Sequence, residues 1–275
     1  MILDGKMVAK VITDKIKEDI KDNNYTPELH VILVGENFAS EKYVKHKEKK
    51  ALEIGVKTVI HRYSKNITEK ELLKKIEILN KDISVNGLFV QLPLPEHIKV
   101  EKVINSISPE KDVDGFHPLN LGKLMIKSGG IKSCTPYGIM KLLQYYDISL
   151  KGKNVTIIGT SNIVGKPLSN MFMNEESTVT NCNSKTKDLK SHTIGADIIV
   201  SAAGVINLVT EDMVKDGVII VDVGINQNSE GKLVGDVDYN NLKDKCSYIT
   251  PVPGGVGPLT ISMLMSNTLD CFKKR

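Results

Sequence analysis

Apolar and polar positions alternate between two periods along most of the chain. Residues 5–21 place Met7, Val8, Val11, Ile12, Ile16 and Ile20 at helical spacing, and Leu29-His30-Val31-Ile32-Leu33-Val34-Gly35 follows as a buried strand. Ser40 is placed to cap a helix running to about Ile54, with Gly55 as its stop. Residues 56–63 read as a strand. Thr68-Glu69-Lys70-Glu71 forms a capping box for a helix that buries Leu72, Leu73, Ile76 and Leu79. A short apolar run from Asn86 to Leu92 ends at Pro93 and Pro95.

Residues 105–133 break this pattern. They are rich in Gly, Pro, Asp, Asn and Ser, lack long periodic segments and mark a hinge or domain junction. Pro136 opens a helix through Leu142 and Leu143. From Asn154 strands resume at 155–158, 178–181, 197–201, 218–223 and 248–250, before a last helix from about 259 to 272. Strands and helices alternating at this length imply parallel βαβ units. The expected fold class is α/β: two α/β lobes with a cleft between them, the second a Rossmann-like parallel-sheet nucleotide-binding domain. The division is expected at 1–117 and 118–275, joined through the break near residue 115.

Composition narrows the class without naming a chemistry. The 275 residues carry 37 Lys+Arg against 33 Asp+Glu, a net charge of +4, with both signs mixed in most windows. That is not the concentrated basic face of a nucleic-acid binder. No apolar run approaches a bilayer span and Met1-Ile2-Leu3-Asp4-Gly5 does not open a signal peptide, so the expectation is a cytoplasmic protein without a membrane partner. Cys134, Cys182, Cys246 and Cys271 are far apart and include no C-x-x-C, which fits reduced thiols and no structural zinc. The histidines show no H-E-x-x-H or H-x-E pattern, so no protein-held metal is expected.

One strand ends in a glycine turn. Val155-Thr156-Ile157-Ile158-Gly159 runs into Thr160-Ser161-Asn162-Ile163-Val164-Gly165-Lys166-Pro167, with Pro167 suited to the first turn of a helix. A strand, a tight turn and a helix N-terminus bring free backbone N–H groups and the helix dipole to one point, where an anion is favoured. The spacing is not G-x-G-x-x-G, so the turn reads equally as a nucleotide site and as an ordinary βα connection. The next strand end, Asn181-Cys182-Asn183-Ser184-Lys185-Thr186-Lys187, lacks the acid that would accept from a ribose 2′-hydroxyl. A 2′-phosphate is tolerated there, with Ser184 as a donor, which tilts the cofactor towards NADP. Ser201-Ala202-Ala203-Gly204 and the segment Pro251-Val252-Pro253-Gly254-Gly255-Val256-Gly257-Pro258 also suit close approach of backbone to a ligand.

Three other segments can carry chemistry. Tyr43 and Lys47 are four apart and share a helix face, where the ring can stack on a heterocycle and the amine can move a proton. The plain alternative is a charged helix surface, since Lys42, Lys45, Lys47, Lys49 and Lys50 crowd it. Gln91 ends a strand in Val90-Gln91-Leu92-Pro93-Leu94-Pro95 and can orient a lysine or bind a substrate amide. Lys111-Asp112-Val113-Asp114-Gly115 sets two carboxylates two residues apart; without a third acid nearby they suit the N–H donors of a heterocycle better than a metal. His46 and His117 read as local hydrogen-bonding groups.

Taken together, these segments resemble the bifunctional methylenetetrahydrofolate dehydrogenase/methenyltetrahydrofolate cyclohydrolase family. Ser40-x-x-Tyr43-x-x-x-Lys47, Val90 to Pro95, Lys111 to Gly115, Cys134-Thr135-Pro136, Ser161 to Pro167 and Pro251 to Pro258 occur in family order from about residue 30 to 268. The resemblance implies Lys47 as the proton-transfer residue with Gln91 bonded to it, Tyr43 stacked on the folate and Asp114 on the pterin. It implies substrate contacts at Pro253, Gly254 and Gly255, and a cofactor site of Gly159, Thr160, Ser161, Ile163, Val164, Gly165, Ser184, Ala203, Gly204 and Ile225. Residues 1–117 become the catalytic folate-binding domain, with the helix at about 259–273 packed back on it, and 118–275 the NAD(P)-binding domain. The implied activity is oxidation of 5,10-methylenetetrahydrofolate with NADP and hydrolysis of the methenyl product to 10-formyltetrahydrofolate, in a homodimer of one-carbon metabolism that supplies purine biosynthesis. Thr160 stands where many relatives have Arg and Asn183 where many have His, so NAD stays possible as the cofactor. An NADP-dependent dehydrogenase of another small substrate, or a folate- or nucleotide-binding protein without turnover, are the competing classes.

Overall fold

The computed structural model describes residues 1–274 and, at Ala39, the backbone alone. In chain order the helices and strands are α1 (Gly5–Asp22), β1 (Glu28–Val34), α2 (Phe38–Ile54), β2 (Lys57–Tyr63), α3 (Glu69–Lys81), β3 (Gly87–Val90), α4 (Val100–Ser106), α5 (Pro118–Met125) and α6 (Cys134–Tyr145). They continue as β4 (Asn154–Ile158), α7 (Gly165–Asn174), β5 (Thr178–Cys182), α8 (Leu189–Thr193), β6 (Ile198–Ser201), β7 (Ile219–Asp222), β8 (Asn226–Gln227), β9 (Leu233–Val234), α9 (Tyr239–Leu242), β10 (Tyr248–Ile249) and α10 (Val256–Lys273). The chain forms two compact units, one of Val11–Cys134 with Ile261–Arg275, the other of Met1–Lys10 with Thr135–Thr260. No helix among the described residues is long and apolar enough to cross a membrane.

In the first unit three parallel strands lie in the order β2-β1-β3. Strand β1 is buried from Leu29 to Val34, apolar throughout except His30, which pairs with Glu28 Oε1 at 2.8 Å, as a strand covered on both faces requires. On one side Ile32, Val34, Leu88 and Val90 close against Leu72 and Ile76 of α3 and Val103 of α4. The capping box is present as expected, with Thr68 and Glu71 each satisfying the other's backbone N–H. The sheet is lengthened by Lys111-Asp112, which bridges in parallel to Leu88. Helix α10 belongs to this unit from Ile261 onward: Asn267 Nδ2 donates to the carbonyls of Val113 (2.8 Å) and Lys132 (2.9 Å).

The second unit holds five parallel strands in the order β10-β7-β6-β4-β5. Successive strands leave β4 in opposite directions, to β5 and then to β6, so the strand order reverses between β4 and β6. Ligands of open α/β sheets bind at the carboxyl ends of the strands flanking such a reversal. The N-terminus extends the far edge: Ile2 bridges in parallel to Ile249, and Leu3 N donates to Ile249 O at 2.8 Å.

Three expected boundaries are corrected. Asn37, not Ser40, caps α2, its Oδ1 accepting Ser40 N at 3.0 Å. Helices α6 and α10 begin at Cys134 and Val256, which puts Pro136 and Pro258 inside first turns, where a missing N–H breaks no intrahelical bond. The irregular stretch 105–133 contains α5, hidden because only Asn120 and Leu124 are buried on it and no apolar stripe forms.

One buried cation ties two of these pieces together. Lys111 Nζ donates to the carbonyls of Leu79 (2.9 Å), Asn80 (2.7 Å) and Asp82 (2.7 Å) at the end of α3. Helix ends leave carbonyls without intrahelical partners, and a cation there also meets the negative end of the dipole. Lys111→Met keeps the stem and strands these carbonyls, so urea unfolding at pH 7 is expected to show a loss of about 2–4 kcal/mol. A variant within about 0.5 kcal/mol of the parent contradicts this account.

Candidate active site

Helix α2 sorts its lysines by face. Lys42, Lys45 and Lys49 are exposed and Lys50 pairs with Glu53 at 2.6 Å, whereas Lys47 is half-buried. Its Nζ donates to Gln91 Oε1 at 3.1 Å and lies 4.0 Å from the centroid of the Phe89 ring. Gln91 Nε2 donates to the Leu92 carbonyl at 2.8 Å, which leaves only the amide oxygen to face the lysine. Tyr43, one turn before Lys47, keeps 44% of its surface exposed, unusual for a large ring and suited to stacking.

Asp114 completes this group. Burial pushes its carboxyl up to about 6, against the pull of Lys47 and with a smaller push from Asp112. Its segment is held from several sides. Asp112 Oδ2 accepts from His117 N (2.8 Å) and Asn120 Nδ2 (2.9 Å), and the Asp114 carbonyl accepts from Cys134 N. Ser133 Oγ donates to Gly115 O at 2.8 Å. Burial, then the Asp114 charge, drives the Cys134 thiol well above its ordinary value, and Sγ donates to Val113 O at 3.2 Å. Cys134 is therefore a structural thiol and not a nucleophile. His117 acts locally, its Nδ1 accepting Leu119 N at the start of α5.

In the other unit the glycine turn lies where the strand order reverses. Gly159 has φ +115°, and a Cβ on it would sit 2.4 Å from the Ala202 carbonyl oxygen. A Cβ on Gly165 would sit 1.9 Å from the Gly159 carbonyl oxygen, so helix α7 starts hard against the strand end. No side chain caps α7 at Val164; Ser161 Oγ accepts Val164 N at 3.1 Å, and Ser161 and Ile163 are exposed while Thr160 is half-buried. This uncapped terminus, with no acid on the turn, fits an anionic phosphate. After β5, Asn183 Oδ1 accepts Lys185 N, leaving Ser184 and Lys185 exposed at the turn.

Two of the candidate segments are held by bonds within the protein. The N–H groups of Ala203 and Gly204 point to Asp236 Oδ2, at 2.8 and 3.2 Å, and are spent inside the protein. The Pro253-Gly254-Gly255 segment is pinned by the N-terminus, with Lys6 N donating to Gly254 O at 3.0 Å. Ile225 is 55% exposed beside Gly224. The sequence reading missed Asp222, Asp236 and Asn267. The only signal for the first two was an acid after an apolar strand in Val221-Asp222 and in Val234-Gly235-Asp236.

Comparison with known proteins agrees with both halves. Residues 3–114 match the model of the tetrahydrofolate dehydrogenase/cyclohydrolase catalytic domain, and residues 133–275 that of the NAD(P)-binding domain of the same enzymes. The chain is 51% identical to the bifunctional protein FolD of Campylobacter jejuni subsp. jejuni serotype O:2 over 278 residues, covering 100% of this chain and 99% of the relative. It is 49% identical to the bifunctional protein FolD of Nautilia profundicola, over 99% of this chain and 97% of the relative. The crystal structure of the Campylobacter jejuni bifunctional FolD dehydrogenase/cyclohydrolase superposes with a TM-score of 0.98 at 51% identity, covering 100% and 99% of the two chains. The Trypanosoma brucei dehydrogenase-cyclohydrolase, solved with NADP and an inhibitor, gives 0.94 at 36% identity over 100% and 97%. Catalytic and NAD(P)-binding domains are thus both present, and the chain belongs to the tetrahydrofolate dehydrogenase/cyclohydrolase family.

Proposed function

We infer that this protein oxidises 5,10-methylenetetrahydrofolate to 5,10-methenyltetrahydrofolate with NADP, and then hydrolyses the methenyl group to give 10-formyltetrahydrofolate. The observation that carries the reading is the half-buried Lys47 bonded to Gln91 Oε1, with the Asp114 carboxyl inside its electrostatic reach. The functional division proposed here gives residues 1–117, with the helix from about 259 packed back on them, to the folate, and residues 118–275 to the cofactor.

Hydrolysis requires water to add to the methenyl carbon and lose a proton. The adduct then opens by breaking one carbon–nitrogen bond, with a proton delivered to the departing ring nitrogen; one proton is released overall. Lys47 Nζ is the group assigned to take and return protons, and Gln91, fixed by Leu92, holds it. Tyr43 supplies a ring face to the pterin, and Asp114, ionised above about pH 6, accepts from its N–H donors. NADP supplies the hydride acceptor when bound. The residues assigned to hold it are Gly159, Thr160, Ser161, Ile163, Val164 and Gly165 at the turn, with Ser184, Ala203, Gly204 and Ile225; Pro253, Gly254 and Gly255 are assigned to the folate. A homodimer in the cytoplasm, feeding one-carbon units to purine biosynthesis, completes the proposal; no nucleic acid or membrane partner is invoked.

Lys47→Ala is expected to lower cyclohydrolase kcat by about 10²–10⁴-fold, the usual worth of a positioned proton-transfer group. Decay of methenyl absorbance measures it, and normal turnover would remove Lys47 from its role. Comparison of kcat/KM for NADP and NAD tests the cofactor; a clear preference for NAD overturns the 2′-phosphate assignment.

Asp114 adds a pH dependence of known sign. Its folded carboxyl titrates near 6 against 3.8 for an ordinary Asp, so the folded state binds more protons between those values. Stability therefore falls as pH rises from about 4 to about 6. Asp114→Asn should flatten this part of the unfolding free energy measured across that window in the absence of ligand. An unchanged slope would refute the burial argument.

A further inference from the structure

Asp236, wholly buried, accepts five hydrogen bonds in the second unit. Its Oδ2 takes Ser201 Oγ (3.0 Å), Ala203 N (2.8 Å) and Gly204 N (3.2 Å), while Oδ1 takes Val205 N (3.1 Å) and Asn226 Nδ2 (2.9 Å). Three successive backbone N–H groups converging on one anion is the geometry by which loops bind phosphate. Here the anion is the protein's own carboxylate.

A second buried carboxylate sets the first. Asp222, at the end of β7, accepts Asp236 N (2.9 Å), Val237 N (3.0 Å) and Gly224 N (2.9 Å). Backbone packs directly on both acids. A Cβ on Gly224 would lie 2.1 Å from Asp236 Oδ1, and one on Gly235 would lie 1.8 Å from Asp222 Oδ2. The loops after β6 and β7 are thereby joined through side chains to the strand β9 end. Val205 and Ile225 are left 50% and 55% exposed on these loops.

We propose that Asp236 is a positioning residue of the cofactor site: it fills the anion nest after β6, fixes the 203–205 and 224–226 loops to each other, and leaves the α7 turn as the place for cofactor phosphates. This rests on the dehydrogenase reading. Cyclohydrolysis consumes no cofactor, so the two activities of one protein separate a positioning role from a merely structural one.

The experiment measures both activities in the full-length Asp236→Asn and Asp236→Ala proteins. The expected result is a rise of at least about tenfold in the KM for NADP, from lost charge-assisted bonds, with cyclohydrolase kcat/KM within about twofold of the parent. In Asp236→Ala, added formate, a free carboxylate matching the one removed, should lower that KM again, and chloride at equal ionic strength should not. Unchanged cofactor KM, a parallel fall of both activities, or absence of formate rescue each overturns the proposal. Should neither variant fold, Ser201→Ala and Asn226→Ala each remove one donor and should raise the NADP KM about two- to fivefold, with cyclohydrolase unmoved; no rise in either refutes it. If the parent protein oxidises no methylenetetrahydrofolate with NADP or NAD yet still hydrolyses the methenyl compound, the dehydrogenase reading falls and takes this proposal with it.

Discussion

A carboxylate removed from water must be met by donors, and this protein meets its buried carboxylates with the N–H groups of its site-bearing loops. Asp112 collects His117 N and the Asn120 amide, Asp222 collects three backbone N–H groups, and Asp236 collects three more with two side-chain donors. Each gathers a loop that helices and strands alone leave undetermined. Parallel strands end abruptly, and the backbone beyond them has no ladder to join. A buried acid supplies the missing acceptor. The cost is visible in Asp222, whose carboxyl burial pushes up to about 6 despite its donors.

The Lys111-Asp112-Val113-Asp114 segment applies the same principle with both signs. Lys111 neutralises the carbonyl end of α3, Asp112 gathers the turn ahead of α5, and Val113 O receives the Asn267 amide from α10. Asp114 is the residue left over, with its carboxyl in the field of Lys47 and not satisfied by a backbone cradle. The neighbours take up the structural duties, and Asp114 is the carboxylate to which the proposed function gives the pterin. Charge adjacent in sequence is thus divided by which partner each side chain reaches.

The elements most legible in the sequence were those whose burial is one-dimensional. Strand β1 shows as a largely apolar run, the capping box at Thr68 as four residues, and the tight turn at Gly159 as a strand ending in glycine. Tyr43, Lys47, Gln91 and Asp114 were singled out as candidates by residue type, spacing and family resemblance; the Lys47–Gln91 hydrogen bond and the pull of Lys47 on Asp114 required the structure. Helix α5 was invisible because it buries a polar Asn120 and a single Leu124. Asp222 and Asp236 were overlooked for a related reason. An acid after an apolar strand looks like the start of a solvated loop, and nothing local reveals that the loop folds back over it. Buried polar groups depend on partners distant in sequence, which hydrophobic periodicity does not encode.

The partners of the side chains after β5 bear on the proposed choice of dinucleotide. A ribose 2′-hydroxyl is best recognised by an acid at the end of the second strand, and β5 ends without one. Asn181, the nearest carboxamide, is already committed, its Oδ1 accepting Ser169 Oγ at 2.5 Å. Asn183 is committed as well, its oxygen folding the turn through Lys185 N. What faces solvent there is a hydroxyl at Ser184 and cations at Lys185 and Lys187, a surface that repels nothing carried by a phosphate and offers little to a bare diol. With Thr160 in place of a guanidinium, the preference for a 2′-phosphate falls to one hydroxyl and exposed lysines, whose attraction weakens with ionic strength. On the proposed NADP reading, discrimination between the two dinucleotides rests chiefly on withholding the acceptor that the 2′-hydroxyl needs.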